Sequence, residues 1–144
     1  WRYLTIEGEA LDGLGRLFCS AADQTEAPLS EAKKDKYRAM PLRAPMILVA
    51  IAKGIDHPKV PIGEQIISCG VAVGYMLLAL QAEGFGGIWR TGAMAENPFV
   101  KEGLGLAPAE TLVGFLYIGT PVGTAKVIPE LDTADFFSAW QPSS

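Results

Sequence analysis

The residues with the most chemical promise lie together, in Gly84-Phe85-Gly86-Gly87 followed by Trp89, Arg90 and Thr91. A dinucleotide fingerprint needs G-x-G-x-x-G after a strand and opening a helix. Gly84 and Gly86 fit that spacing, but Trp89 stands where the third glycine belongs. The apolar stretch before Gly84 also reads as a helix, so these glycines close a helix rather than open one. They read either as a helix cap with a tight turn, or as backbone bare enough to lie against a flat ligand. In the second reading Trp89 offers an aromatic face, Arg90 a fork of donors and Thr91 a hydroxyl. In the first, Trp89 is a core or interface aromatic and Arg90 a solvated cation.

Other reactive groups are sparse. A thiolate nucleophile needs a base nearby and some exposure. Cys19 and Cys69 both fall in apolar helical surroundings, and His57, beside Pro58, is the only imidazole. Inert burial is the expectation for both thiols, and a loop position for His57. Glu7, Glu9 and Asp12 read as solvated, and Glu64 begins a helix, where the dipole favours a negative charge. A single histidine excludes a multi-histidine metal site. Gly70 and Gly74, four residues apart, permit close approach either to a sheet or to a helix across a dimer. A chain without its own acid–base set or nucleophile points to chemistry borrowed from a cofactor.

The elements that must position these residues follow from patterning. Trp1 to Glu7 reads as a strand ending at Gly8. Ala10, Leu11, Leu14, Leu17, Phe18, Ala21 and Ala22 recur at helical spacing. Ser30 is set to cap a charged helix running to about Met40. Met46 to Ala52 is a continuous apolar run suited to a strand buried on both faces. Ile62 to Glu83 suits a helix apolar nearly all round, which predicts a central buried helix; its apolar run falls short of a membrane span. Ile88 to Gly92 is a short strand or loop, Asn97-Pro98 opens a short helix, and Leu112 to Ile118 is a second core strand. An extended tail carries Phe136, Phe137 and Trp140. The mixture predicts an α+β fold.

Composition sets limits on partners. The 144 residues are 49% hydrophobic and carry a net charge of −4, which excludes a disordered chain and disfavours nucleic acid. Two cysteines make no disulfide framework, so a reducing, cytoplasmic setting is expected. No basic cluster precedes an apolar leader, so no signal peptide is expected. The chain opens Trp1-Arg2-Tyr3 without Met, inside a strand, so an upstream segment is expected.

Several blocks, in order, carry a family resemblance. They are Trp1-Arg2-Tyr3 with Ile6-Glu7-Gly8, Arg43-Ala44-Pro45, Ala52-Lys53, Lys59-Val60-Pro61 and Glu64-Gln65. The fullest block is Gly84-Phe85-Gly86-Gly87-Ile88-Trp89-Arg90-Thr91-Gly92-Ala93, and Gly114-Phe115-Leu116-Tyr117-Ile118-Gly119-Thr120-Pro121 completes the set. The chain resembles the FMN-dependent nitroreductases, in their small YdjA-like branch.

The resemblance implies one α+β sandwich domain over 1–144. Its sheet would be mostly antiparallel and flanked by helices, in an intertwined homodimer with FMN at the interface. It implies an NAD(P)H oxidoreductase with ping-pong hydride transfer through flavin N5 to a nitroaromatic or quinone. Trp89, Arg90, Thr91 and Gly92 match the FMN-contacting segment. Ala79, Leu80, Gln81, Ala82, Glu83 and Gly84 match a segment assigned to NAD(P), although a helix C-terminus is a poor seat for pyrophosphate. The family's Arg-Arg-Ser grip on the FMN phosphate would precede Trp1 and is not among these residues. Two alternatives stay open: a flavin-deficient binding or assembly module, and another flavin-dependent reduction such as dehalogenation.

Overall fold

The computed structural model describes residues 1–25, 28–124 and 127–142. Four strands form one antiparallel sheet in the order β1-β2-β4-β3, where β1 is Arg2–Glu7, β2 Met46–Lys53, β3 Gly86–Arg90 and β4 Glu110–Gly119. The helices are α1 (Glu9–Thr25), α2 (Glu31–Ala39), α3 (Ile62–Ala82), α4 (Ala93–Glu96) and α5 (Pro98–Gly103). Short 3₁₀ turns occupy Pro41–Arg43 and Thr133–Asp135. This is the expected α+β layering.

The two faces of the sheet take alternate residues of the central strands, as the period of two requires. Ile47, Val49, Ile51, Phe115 and Tyr117 pack with Leu11, Leu14, Phe18, Ala21 and Ala22 of α1. Leu48, Ala50, Ala52, Leu116 and Ile118 pack with Cys69, Val73 and Leu77 of α3. β2 is indeed buried on both faces, because it lies between β1 and β4 and between two helical layers. Of the apolar set expected on α1, only Ala10 is exposed and Leu17 half-buried. Gly15 has a packing role in that helix. A Cβ there would collide with the Arg38 carbonyl of α2, so glycine lets the two helices meet.

The local signals have physical partners. Ser30 Oγ accepts from Lys33 N–H at the start of α2, and Asn97 Oδ1 accepts from Phe99 and Val100 N–H at the start of α5. α3 closes in a Schellman arrangement. Gly84 takes φ +81°, its N–H donates to Gln81 O, and Phe85 N–H donates to Leu80 O.

The expectation of a central, fully buried α3 is corrected. Only Cys69 and Val73 of its residues are buried, and the stripe Ile67, Val71, Tyr75 and Leu78 faces away from the sheet. One chain supplies a sheet to one side of this helix only. At 21 residues it is also long and apolar enough, by length and composition alone, to cross a membrane, contrary to the shorter reading. Cys69 and Val73 nevertheless seat one side of it on the sheet with no remaining exposure.

Candidate functional site

β3 is the edge strand from which the candidate site is built. Its register against β4 pairs Gly86 with Gly119, Ile88 with Tyr117 and Arg90 with Phe115. Paired residues share a sheet face, so Arg90 joins Phe115 and Tyr117 on the α1 side. Its guanidinium carbon lies 5.9 Å from the centre of the Tyr117 ring, within cation–π range. Gly92 follows at φ +88° and ψ −162°, a conformation open to glycine, and turns the chain into α4.

Trp89 points the other way. Its ring lies over Gly114 and against Gly70 of α3, and Nε1–H donates to Val113 O at 3.3 Å. A Cβ on Gly114 would overlap the indole, so the bare backbone of β4 is what receives this ring. Gly70 thus serves packing onto Trp89, whereas Gly74 faces open space.

A cleft of about 460 Å³ opens on the α1 side at the end of β3. Trp89, Arg90, Thr91 and Gly92 all border it, and Phe18, Tyr37, Phe115 and Tyr117 supply aromatic walls. Arg43, from the turn before β2, lines it as well. No Asp or Glu is among its lining residues. The N–H groups of Thr91 and Gly92 donate to no backbone acceptor among the described residues. Burial pushes the Tyr117 phenol up, while the charges of Arg43 and Arg90 pull it down. A flat, electron-rich ligand with carbonyl and ring-nitrogen acceptors fits such a mixture of aromatic wall, free backbone donors and positive charge.

The NAD(P)-assigned segment Ala79 to Gly84 does not meet this cleft. It is the last turn of α3, on the other side of the sheet, beside an apolar hollow bordered by Leu48, Met76, Leu80 and Ile118. The Leu80 and Gln81 carbonyls are already used in the helix cap. The close-approach role suggested for Gly86 and Gly87 is also redirected. A Cβ on Gly87 would strike Leu77 and one on Gly86 would press on Pro121, so both glycines admit the chain's own side chains.

The remaining candidates carry no visible chemistry. Cys19 and Cys69 are buried free thiols, and burial pushes the Cys69 thiol up, which keeps it protonated. His57 is exposed, and its Nδ1 accepts from Lys59 N–H. Glu64 borders a separate cleft of about 490 Å³ with Trp1, Lys53 and Ser68. Residue-by-residue reading did not single out Arg43 and Tyr117 for the site. The usable signal was strand alternation: β4 places Tyr117 beside Phe115 on one face and Leu116 on the other.

The comparisons agree with this architecture. The profile described as "Nitroreductase family" matches residues 1–120. "Putative NAD(P)H nitroreductase YdjA" of Escherichia coli (strain K12) is 42% identical over 121 residues, covering 84% of this chain and 65% of that protein. The chain therefore spans about two thirds of that relative's length. Among solved structures, a nitroreductase-like family protein from Bacillus cereus superposes with TM-score 0.78 at 18% identity, over 99% of this chain and 74% of the other. An iodotyrosine deiodinase bound to FMN and 3-iodo-L-tyrosine gives TM-score 0.59 at 26% identity, over 92% and 72%. With the profile covering most of the chain and a YdjA relative at 42% identity, the chain belongs to the nitroreductase family.

Proposed function

We propose that the chain acts in an FMN-dependent NAD(P)H oxidoreductase that reduces small acceptors of the nitroaromatic or quinone type. One observation carries the reading. The cleft at the end of β3 gathers Trp89, Arg90, Thr91 and Gly92 with aromatic walls, and no acid–base pair or nucleophile of the chain lines it. The relatives' names support the same reading, one as an NAD(P)H nitroreductase and another as bound to FMN.

The residues present fit a flavin. Thr91 and Gly92 would present backbone N–H groups to the ring's polar edge, and Arg90 would place positive charge beside it. Phe18, Phe115 and Tyr117 would exclude water from its faces. The flavin, when bound, supplies the two-electron chemistry between nicotinamide and acceptor. The protein's part is to bind, orient and shield.

A homodimer belongs to the same proposal. The apolar stripe of α3 and the exposed tail residues Val122, Ile128, Phe137 and Trp140 make more open apolar surface than a lone folded chain ordinarily shows. A second copy would cover both, with the open backbone at Gly74 allowing helices to approach. We place the protein in the cytoplasm, on its unpaired cysteines.

The direct test is titration of the purified chain with FMN, followed by anaerobic addition of NADH or NADPH. Saturable FMN binding and bleaching of the bound flavin's visible absorbance are expected. A chain that binds no flavin would return it to the class of binding or assembly modules.

A further inference from the structure

A second cleft of about 310 Å³ adjoins the one that gathers the flavin-matching segment. Three residues border both: Arg43, Arg90 and Tyr117. The junction of the two clefts is therefore made of two guanidinium groups and a phenol. The rest of the second cleft is mostly apolar side chain and bare backbone, with Pro45, Ile88 and Pro121 beside Gly86. No Asp or Glu lines either cleft.

The framework holds these three groups in place. Arg43 ends the turn Pro41–Arg43, which is seated by the buried Pro41. Tyr117 is buried in the sheet between Ile47 of β2 and Ile88 of β3. Arg90 lies over the Tyr117 ring, and in the reading above it serves the flavin. The other two polar groups are uncommitted. Neither the Arg43 guanidinium nor the Tyr117 hydroxyl makes a hydrogen bond among the described residues, and Arg43 makes no ion pair among them. Burial keeps the Tyr117 phenol protonated at neutral pH despite the two cations, so its hydroxyl can donate. A junction of donors without an acceptor of its own favours a ligand that brings one. A guanidinium's parallel N–H groups match a carboxylate in particular.

Resting on the flavin reading above, we propose that the electron acceptor is an anionic aromatic, a nitroaromatic or quinone bearing a carboxylate, which Arg43 and the Tyr117 hydroxyl hold at the junction. Both residues border the first cleft as well, so an acid held there keeps its ring beside Thr91 and Gly92. The carboxylate serves recognition, and the nitro or quinone group takes the electrons.

The para isomers of nitrobenzoate and nitrobenzamide share a ring and a nitro group and differ in charge, so the pair tests the assignment. Each is titrated calorimetrically into the oxidised, FMN-loaded chain without NAD(P)H, as wild type, R43A, R43K and Y117F, with circular dichroism to verify folding. The wild type is expected to prefer the acid. R43A should reduce that preference about tenfold, the lower end of a charge-assisted contact's worth, because Arg43 is exposed. R43K should reduce it less, since it keeps the charge and loses the fork. Y117F keeps the ring, loses the hydroxyl and should reduce it by about two- to tenfold. Under turnover, the ratio of kcat/KM for the two acceptors should follow the binding ratio. The first two-electron step is the same for both: the nitro group, NAD(P)H and a proton give the nitroso group, NAD(P)+ and water.

A wild type that binds the acid no better than the amide overturns the assignment and leaves the flavin reading standing. An R43A or Y117F chain with unchanged preference does the same. If R43A loosens FMN, read by quenching of flavin fluorescence, Arg43 serves the cofactor and the assignment falls. It falls too if R43A raises the KM for NADH or NADPH as much as that for the acid. If R43A alone fails to fold, the folded R43K decides: it must lower the preference for the acid. A chain that binds no FMN overturns the flavin reading and this assignment with it.

Discussion

The two faces of the sheet use similar residues and are closed to different degrees. On the α1 face, Phe18 and Phe115 meet edge to face at 5.3 Å, and α1, α5 and the sheet bury Leu14, Val49, Val100 and Leu112 between them. On the α3 face, the helix buries Cys69 and Val73 and leaves Tyr75 and Leu78 each more than 60% exposed. An amphipathic helix closes its own layer, because its polar side satisfies the solvent. A helix apolar all round closes only one side of itself, and its other side stays exposed. The candidate site lies on the finished face, where rigid packing can hold its lining side chains in place.

The largest effect is expected where that finished face is broken. Phe18→Ala removes a ring that is 2% exposed and packed on Phe115, and should cost about 3–5 kcal/mol of unfolding free energy in a denaturant titration. A loss below about 1 kcal/mol would mean that the α1 layer is no more closed than the α3 layer.

The open face is probed by charge rather than by a cavity. Val71→Asp sets a carboxylate in the exposed α3 stripe, where the single chain has no need of an apolar group. Circular dichroism should stay unchanged while sedimentation equilibrium shifts from dimer to monomer. A variant that unfolds instead would place Val71 inside the domain's own core, and a variant that stays dimeric would move the interface elsewhere.

Much of this contrast was legible in the residues. Leu11, Leu14 and Phe18 announced which side of α1 is buried, and Gly84 and Asn97 announced helix ends that the structure satisfies with named hydrogen bonds. The all-round apolarity of Ile62 to Glu83 was equally visible, but composition cannot say whether the covering surface belongs to the same chain. The site was half legible. Trp89 to Gly92 form one contiguous motif, whereas Arg43 and Tyr117 come near Arg90 only through the β2–β4–β3 pairing. Register is a property of strands brought together, and no local pattern near Arg43 encodes it. Nor did the motif reveal that Trp89 and Arg90 face opposite sides of the sheet.

A smaller effect tests the proposed flavin-contacting edge of the finished face. Arg90→Ala removes a guanidinium that stacks on Tyr117 and makes no ion pair among the described residues. FMN affinity should fall by about one to two decades, or ~1.5–3 kcal/mol, with the fold intact. Riboflavin should weaken in parallel, the result expected of a group that meets the ring rather than the phosphate. Unchanged binding of both flavins would return Arg90 to a solvated cation.

The smallest effect concerns the frame on which both faces rest, and it depends on pH. Arg2 grips Glu110 with two hydrogen bonds, Nε to Oε1 at 2.8 Å and Nη2 to Oε2 at 2.7 Å. Arg2 Nη2 also donates to Gly105 O, and Ala107 N–H donates to Glu110 Oε2. The pair braces β1 to β4 across the end of β2, two strands that share no ladder. The Arg2 guanidinium and the Ala107 amide hold the Glu110 carboxyl at about 2, below its ordinary 4.5. The folded state therefore favours the ionised carboxyl. Its contribution is fully present above pH 4.5 and fades as the pH falls toward about 2, where the folded protein takes up the proton. Arg2 is partly open to solvent, so the benefit is modest. Thermal melts of wild type and Glu110→Gln should differ above pH 4.5 and converge as the pH approaches 2. A gap that stays constant over that range would show that the brace works through shape and not through charge.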